Sequence, residues 1–270
     1  MEVDGDRTLR FGGDIISGRN VLEEFDFVKH SRSKSETGSE PVAVERAYNL
    51  TVNGTKITRV FLSPADLEEF ALGYLLSEGI VDSSRCIDEV AVGDGNICVL
   101  AGDLKGIDEE FELRSSGCVG FRWTELGESE GPKVDSELRI SSDFVFDVLE
   151  YLDTDLYRIT SGSHSAGLIG ERGERAVRAV DVGRHNAFDK VIGKAVREGL
   201  DLSRAVLLGS GRQSSGMVMK AANSGIPIVI SKAAPLSSGI EAARRTGVTL
   251  VCFADDQKFK VFSGDVRIRD

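Results

Sequence analysis

Between residues 176 and 254 the chain switches repeatedly between two hydrophobic periods. Strand-like AVRAVD (176–181) runs into helical AFDKVIGKAVREG, AVLLG (205–209) into SSGMVMKAANSG, and IPIVIS (226–231) into SSGIEAARRTG, before VTLVCFA closes the series. Short β-rich runs separated by helix-length segments predict βαβ units and an α/β layered domain. In such domains ligand sites lie outside the carboxyl ends of the strands. DVGRHN (181–186), GSGRQSS (209–215), SKAAPLS (231–237) and FADDQK (253–258) all follow predicted strands, so they are expected to line one crevice.

The preceding region has a different organisation. AYNLTV and KITRVFL flank Asn53-Gly54, a pair suited to the positive φ angles of a tight hairpin turn, and IDEVAV and ICVLAG flank Gly-Asp-Gly-Asn in the same way. Between the two hairpins, SPADLEEFALGYLLSEGI predicts a helix with Ser63 as cap, Pro64 in its first position, Asp66 completing a capping box and Gly79 ending it. These segments give a small α+β domain over 41–135, with GESEGPKVDSE as its exit linker, followed by the larger α/β domain over 136–270. Residues 1–40, ending in HSRSKSETGSEP, are expected to form a mobile arm, although DIISGRNVLEEFDFV can lay a strand on another element.

The charge balance narrows the class of partner. A formal net charge of -11 argues against broad binding to a nucleic-acid backbone, so any anionic ligand must be held locally. No apolar run approaches the ~18 residues of a membrane span, and the start, MEVDGDRTLRFGG, lacks the apolar segment of a secretion signal. A cytoplasmic protein without membrane contact is the expectation. The four cysteines, Cys86, Cys98, Cys118 and Cys252, form neither a C-x-x-C pair nor a zinc-type cluster with histidine.

Three loops carry the polar chemistry. In GSGRQSSG (209–216), Ser210 and Gly211 let backbone N–H groups approach an anion, the following helix adds its positive end, and Arg212 can fork two bonds to phosphate. A plain Gly/Ser turn is the alternative. In DVGRHNAFDK, Arg184, His185 and Asn186 stand at a helix start, where they can bind phosphate or a heterocycle; alternatively, Asp181 and Asn186 only cap the turn while His185 bonds to backbone. A second histidine, His164, lies in the small-residue loop TSGSHSAG (160–167). In LRSSGCVGFRW (113–123), Cys118 sits between glycines and near Arg114 and Arg122, a setting that favours the thiolate of a nucleophile. The other three cysteines occupy or border apolar strand-like runs and are expected in the core.

Taken together, SPADLEEFALGYLLSEGIV, RSSGC, TSGSHSAG, AVDVGRHNAFDKVIGKA, SGRQSSGMVMKAANSGIPIVISKAAP and GVTLVCFA resemble the FdhD/NarQ family, the formate dehydrogenase accessory sulfurtransferases, over about 41–264. The resemblance implies a homodimer that takes sulfur from a cysteine desulfurase and carries it as a persulfide. It further implies delivery of that sulfur to the molybdenum (or tungsten) bis(molybdopterin guanine dinucleotide) destined for formate dehydrogenase. Cys118 is then the catalytic residue. The larger domain is expected to take a three-layer, cytidine-deaminase-like form without zinc, since H-x-E followed by P-C-x-x-C is absent. By the same resemblance Phe253, Ala254, Asp255, Asp256, Gln257 and Lys258 map to the cofactor-binding stretch, with Asp255 and Asp256 as acceptors for guanine N–H groups. Many members carry C-x-x-C where this chain has Cys118 alone, which calls for an external reductant or a thiol elsewhere. The competing expectation is a non-catalytic chaperone that holds the cofactor or docks formate dehydrogenase.

Overall fold

The computed structural model describes residues 21–105, 131–171, 173 and 176–269. The chain is a mixed α/β protein built on two main sheets. The smaller has strands β3 (Arg46–Val52), β4 (Thr55–Leu62), β5 (Ile87–Gly93) and β6 (Asn96–Ala101) in the order β4-β3-β6-β5, and helix α1 (Leu67–Ser77) covers its apolar face. Both expected tight turns form: Asn53 and Gly54 have φ of 50° and 81°, and Asp94 and Gly95 have φ of 47° and 74°. Leu50, Leu62, Ile97 and Val99 meet Phe70, Ala71 and Leu75 in the core of this unit. Each large side chain so buried is worth about 1.5–3 kcal/mol.

Ahead of this sheet, β1 (Leu22–His30) and β2 (Ser35–Ala43) pair antiparallel from Leu22↔Ala43 to His30↔Ser35. The mobile arm expected through residue 40 is therefore a hairpin from residue 22 onward. Its root is anchored where Leu22 and Ala43 pack against Val21, Ala65, Leu156 and Val180, contacts that a local reading of SETGSEPVA does not reveal.

After β7 (Ile140–Ser141), α2 (Ser142–Asp147) and α3 (Asp155–Thr160), the larger sheet assembles from β8 (His164–Gly170), β9 (Ala176–Asp181), β10 (Ala205–Gly209), β11 (Ile228–Ser231), β12 (Thr249–Cys252) and β13 (Lys260–Ser263). Its order is β13-β12-β11-β10-β8-β9, with β10, β11 and β12 parallel and the flanking strands antiparallel. Helices α4 (Arg184–Arg197), α5 (Ser215–Asn223) and α6 (Ser237–Thr246) follow β9, β10 and β11. They cover one face, with Phe188, Ile192, Met217 and Ala242 against Leu168, Leu207, Val229 and Leu250. On the other face Val145, Leu149 and Leu152 pack against Ile169, Val206, Ile230 and Val251. The short β14 (Ile268–Arg269) returns to pair with β7.

Several expectations change in detail. The loop read through TSGSHSAG is strand from His164 onward, inserted between β9 and β10; it is buried on both faces and so shows no alternation. Helix α1 starts at Leu67, because the Ser63 hydroxyl accepts the N–H of Val182 instead of capping the helix, and Asp66 takes φ 54°. Gly79, at φ 69°, follows the helix as expected. Cys98 is exposed on β6 instead of lying in the core, whereas Cys252 is fully buried and its thiol is pushed up to about 12 by that burial. Helices α1 and α4 cross at glycines: a Cβ on Gly73 would collide with the Asp189 carbonyl, and one on Gly193 with that of Glu69. The two units therefore touch backbone to backbone.

Candidate functional site

The carboxyl ends of β9, β10, β11 and β12 and the amino end of β8 lie along one edge of the larger sheet, as their registers require. Backbone and hydroxyl bonds stitch that edge together. The Ser210 hydroxyl accepts the N–H of Ser165 at 3.0 Å and meets Nδ1 of His164 at 3.2 Å. The Gly211 carbonyl accepts bonds from the Ser231 hydroxyl and the Gln213 amide, each at 2.8 Å. The Ser231 carbonyl accepts the N–H of Ala254 at 3.1 Å. A side chain at Gly211 would press on Arg184 and His164, so only a bare backbone fits between β10 and the start of α4.

His164, Arg184, Ser210, Gly211 and Arg212 are thus brought together. Arg212 is exposed, and the buried Nε of Arg184 has no hydrogen-bond partner. The buried Oε1 of Gln213 is similarly unpartnered. Helices α4, α5 and α6 each begin just beyond a strand at this edge, with no capping bond from the N-cap side chain. Their positive ends and two guanidinium groups make the edge suited to an anion. Both imidazoles near it are shifted toward the neutral form. Burial and the neighbouring Arg184 lower His164, and burial, followed by Lys220 and Arg184, brings His185 to about 3. A lowered imidazole favours hydrogen bonding over fixed positive charge.

The remaining expected residues have different settings. His185 lines a small cavity with Tyr74, Asp189 and Lys220, at the junction of α1, α4 and α5. The Asn186 amide group donates to the Phe61 carbonyl and to Asp181, both at 2.9 Å, so its nitrogen serves the fold and not the crevice. Phe253 has the left-handed φ of 53°, is 39% exposed, and carries the Lys260 ammonium 5.1 Å from its ring centroid. A bulky residue in that conformation is strained, a condition that clusters at ligand sites. Asp255 Oδ1 accepts the N–H groups of Gln257 and Lys258 at 2.9 Å, and these bonds hold its carboxyl below the usual range. Asp256, Gln257 and Lys258 are exposed, while the Ala254 side chain is buried. Cys118, with Arg114 and Arg122, lies outside the described residues.

The sequence reading missed Ser231 and Gln213, which shape the Gly211 loop. It also missed a buried cluster in which Lys220 donates to Glu78 and Asp189, and Asp189 accepts from Ser77. Nothing local marks these positions: Ser77 and Asp189 are 112 residues apart.

Fold and edge together define a mixed α/β protein that gathers Arg184, Arg212 and three helix starts at its strand ends. Residues 43–269 match the model of the FdhD/NarQ family, and the chain belongs to that family. Among its relatives, the "Sulfur carrier protein FdhD" of Methanothermobacter thermautotrophicus is 37% identical over 233 residues, covering 85% of this chain and 92% of the relative. The protein of the same name from Wolinella succinogenes is 33% identical over 235 residues, 84% of this chain and 82% of the relative. The crystal structure of a candidate formate dehydrogenase accessory protein from Desulfotalea psychrophila superposes with a TM-score of 0.78 at 29% identity, over 92% of this chain and all of the other.

Proposed function

We propose that the protein is a sulfur carrier for formate dehydrogenase maturation. In this reading Cys118 accepts sulfur from a cysteine desulfurase and passes it to a molybdenum or tungsten bis(molybdopterin guanine dinucleotide) substrate. The observation that carries the reading is the gathering of Arg184, Arg212, His164, Ser210 and three helix starts on one sheet edge, with the exposed ring of Phe253 just past β12 on the same edge. Guanidinium forks and helix ends suit a diphosphate, and an exposed aromatic face suits a purine. The names carried by the relatives support the sulfur chemistry. No helix among the described residues is long and apolar enough to cross a membrane.

In the acceptance step the Cys118 thiolate attacks the outer sulfur of the donor's persulfide. The donor S–S bond breaks and its cysteine leaves as thiolate, so the sulfur changes carrier without net oxidation. Release as sulfide takes two further electrons, supplied by an external thiol in the absence of a C-x-x-C partner. A homodimer that docks both desulfurase and formate dehydrogenase completes the proposal. Intact-protein mass after incubation with a cysteine desulfurase and cysteine tests it: one added sulfur, lost in Cys118→Ser, is the expected result. Substrate binding without any added sulfur would instead make the protein a cofactor-holding chaperone.

A further inference from the structure

Asp181, the last residue of β9, has no exposed surface, and its two oxygens face in two directions. Oδ1 accepts the N–H of Gly183 at 2.8 Å and the Asn186 amide at 2.9 Å, both within the turn that starts α4. Oδ2 accepts the N–H of Ser63 at 3.0 Å and the Lys190 ammonium at 2.6 Å. Lys190, equally buried, donates also to the Ser63 carbonyl at 2.9 Å. The Ser63 hydroxyl in turn accepts the N–H of Val182 at 3.2 Å, and Asn186 reaches the Phe61 carbonyl. The segment leaving β4 of the smaller unit is thereby bonded, donor by donor, to the turn that carries Arg184 and His185.

We propose that Asp181 is a positioning residue that couples the smaller unit to the ligand crevice, fixing the Arg184–His185 turn through the Ser63 segment. The proposal rests on the reading of that crevice as a nucleotide site. A carboxylate is required because four donors converge on it, two per oxygen. An asparagine has one acceptor oxygen, so it can serve the turn or the Ser63 side but never both. Substitution also strands the Lys190 charge in the interior, which threatens folding. Removing both charges separates positioning from stability.

The test compares wild type, Asp181→Asn, Asp181→Asn/Lys190→Met and Ser63→Ala by thermal midpoint, amide hydrogen exchange at Ser63, Val182 and Gly183, and affinity for GDP as the probe of the crevice. Asp181→Asn lowers the midpoint and weakens GDP. In the double variant the midpoint recovers toward wild type, yet Ser63 or Gly183 loses protection and GDP binds at least about ten-fold more weakly, the scale on which small misplacements are felt. Ser63→Ala, the mildest change, exposes the Val182 amide to faster exchange. A merely structural role predicts that GDP affinity recovers together with the midpoint, and that outcome overturns the proposal. So does wild-type exchange at all three amides in the variants. If wild type itself binds no GDP, the crevice reading fails, and unaltered exchange in the variants still sinks the coupling separately.

Discussion

Arg212 leaves the Gly211 loop for solvent while the residues around it are tied down by Ser231, Gln213 and Ser165. A guanidinium on a rigid base can hold a phosphate through two parallel bonds, whereas an ammonium acts as a point charge. Arg212→Ala is expected to weaken GDP binding by about 1.5–3 kcal/mol, with Arg212→Lys falling between it and wild type. Titration calorimetry decides this, and equal affinity in all three proteins removes the loop from the site. The loop that carries this arginine and Ser210 is legible because strand ends and small residues mark such loops in sequence, whereas His164, expected in a loop, opens strand β8. In sequence Asn186 suits either a ligand contact or a turn cap, and its amide bonds place it in the turn. The Ser63 contact with Asp181 was invisible because it spans 118 residues.

Helix α4 is where the two units are joined, and its burial has a measurable consequence for pH. Asp189 shares the Lys220 ammonium with Glu78, leaving two carboxylates on one cation at a buried junction with Tyr74 and His185 alongside. Burial, only partly opposed by Lys220, raises Asp189 from 3.8 to about 6. The folded state therefore holds this proton more tightly than the unfolded chain does. The resulting stabilisation is fully present below pH 3.8 and is lost as pH rises through about 6. Urea unfolding midpoints between pH 4 and 7 test the sign: relative to wild type, Asp189→Asn is expected to become progressively more favourable as pH rises. A difference that stays constant over that range contradicts the shift. Among the elements, those with strong periodicity or turn chemistry were readable, including α4, α5, α6 and both Asn/Asp-Gly hairpins. β8 was not, since HSAGLIG is small and buried on both faces, and β2 was not, since its Ser, Gly and Glu residues become a strand only by pairing with β1.

At the scale of the whole molecule, a compact smaller unit is held against a larger sheet by backbone contact at Gly73 and Gly193 and by the buried Asp181–Lys190 and Asp189–Lys220 pairs. The α/β class follows from the order of strands and helices, as does the placement of the loops after β9, β10, β11 and β12 along one edge. The antiparallel insertion of β8 and the contact between units did not, because both depend on pairings between distant segments. The most direct measurement follows labelled sulfur from cysteine, through a cysteine desulfurase, to this protein and onward, with formate dehydrogenase activity scored in cells where Cys118→Ser replaces wild type. The expected result is a folded Cys118→Ser protein that binds GDP normally, takes up no label and leaves formate dehydrogenase inactive. A Cys118→Ser protein that still supports active formate dehydrogenase would contradict the persulfide mechanism.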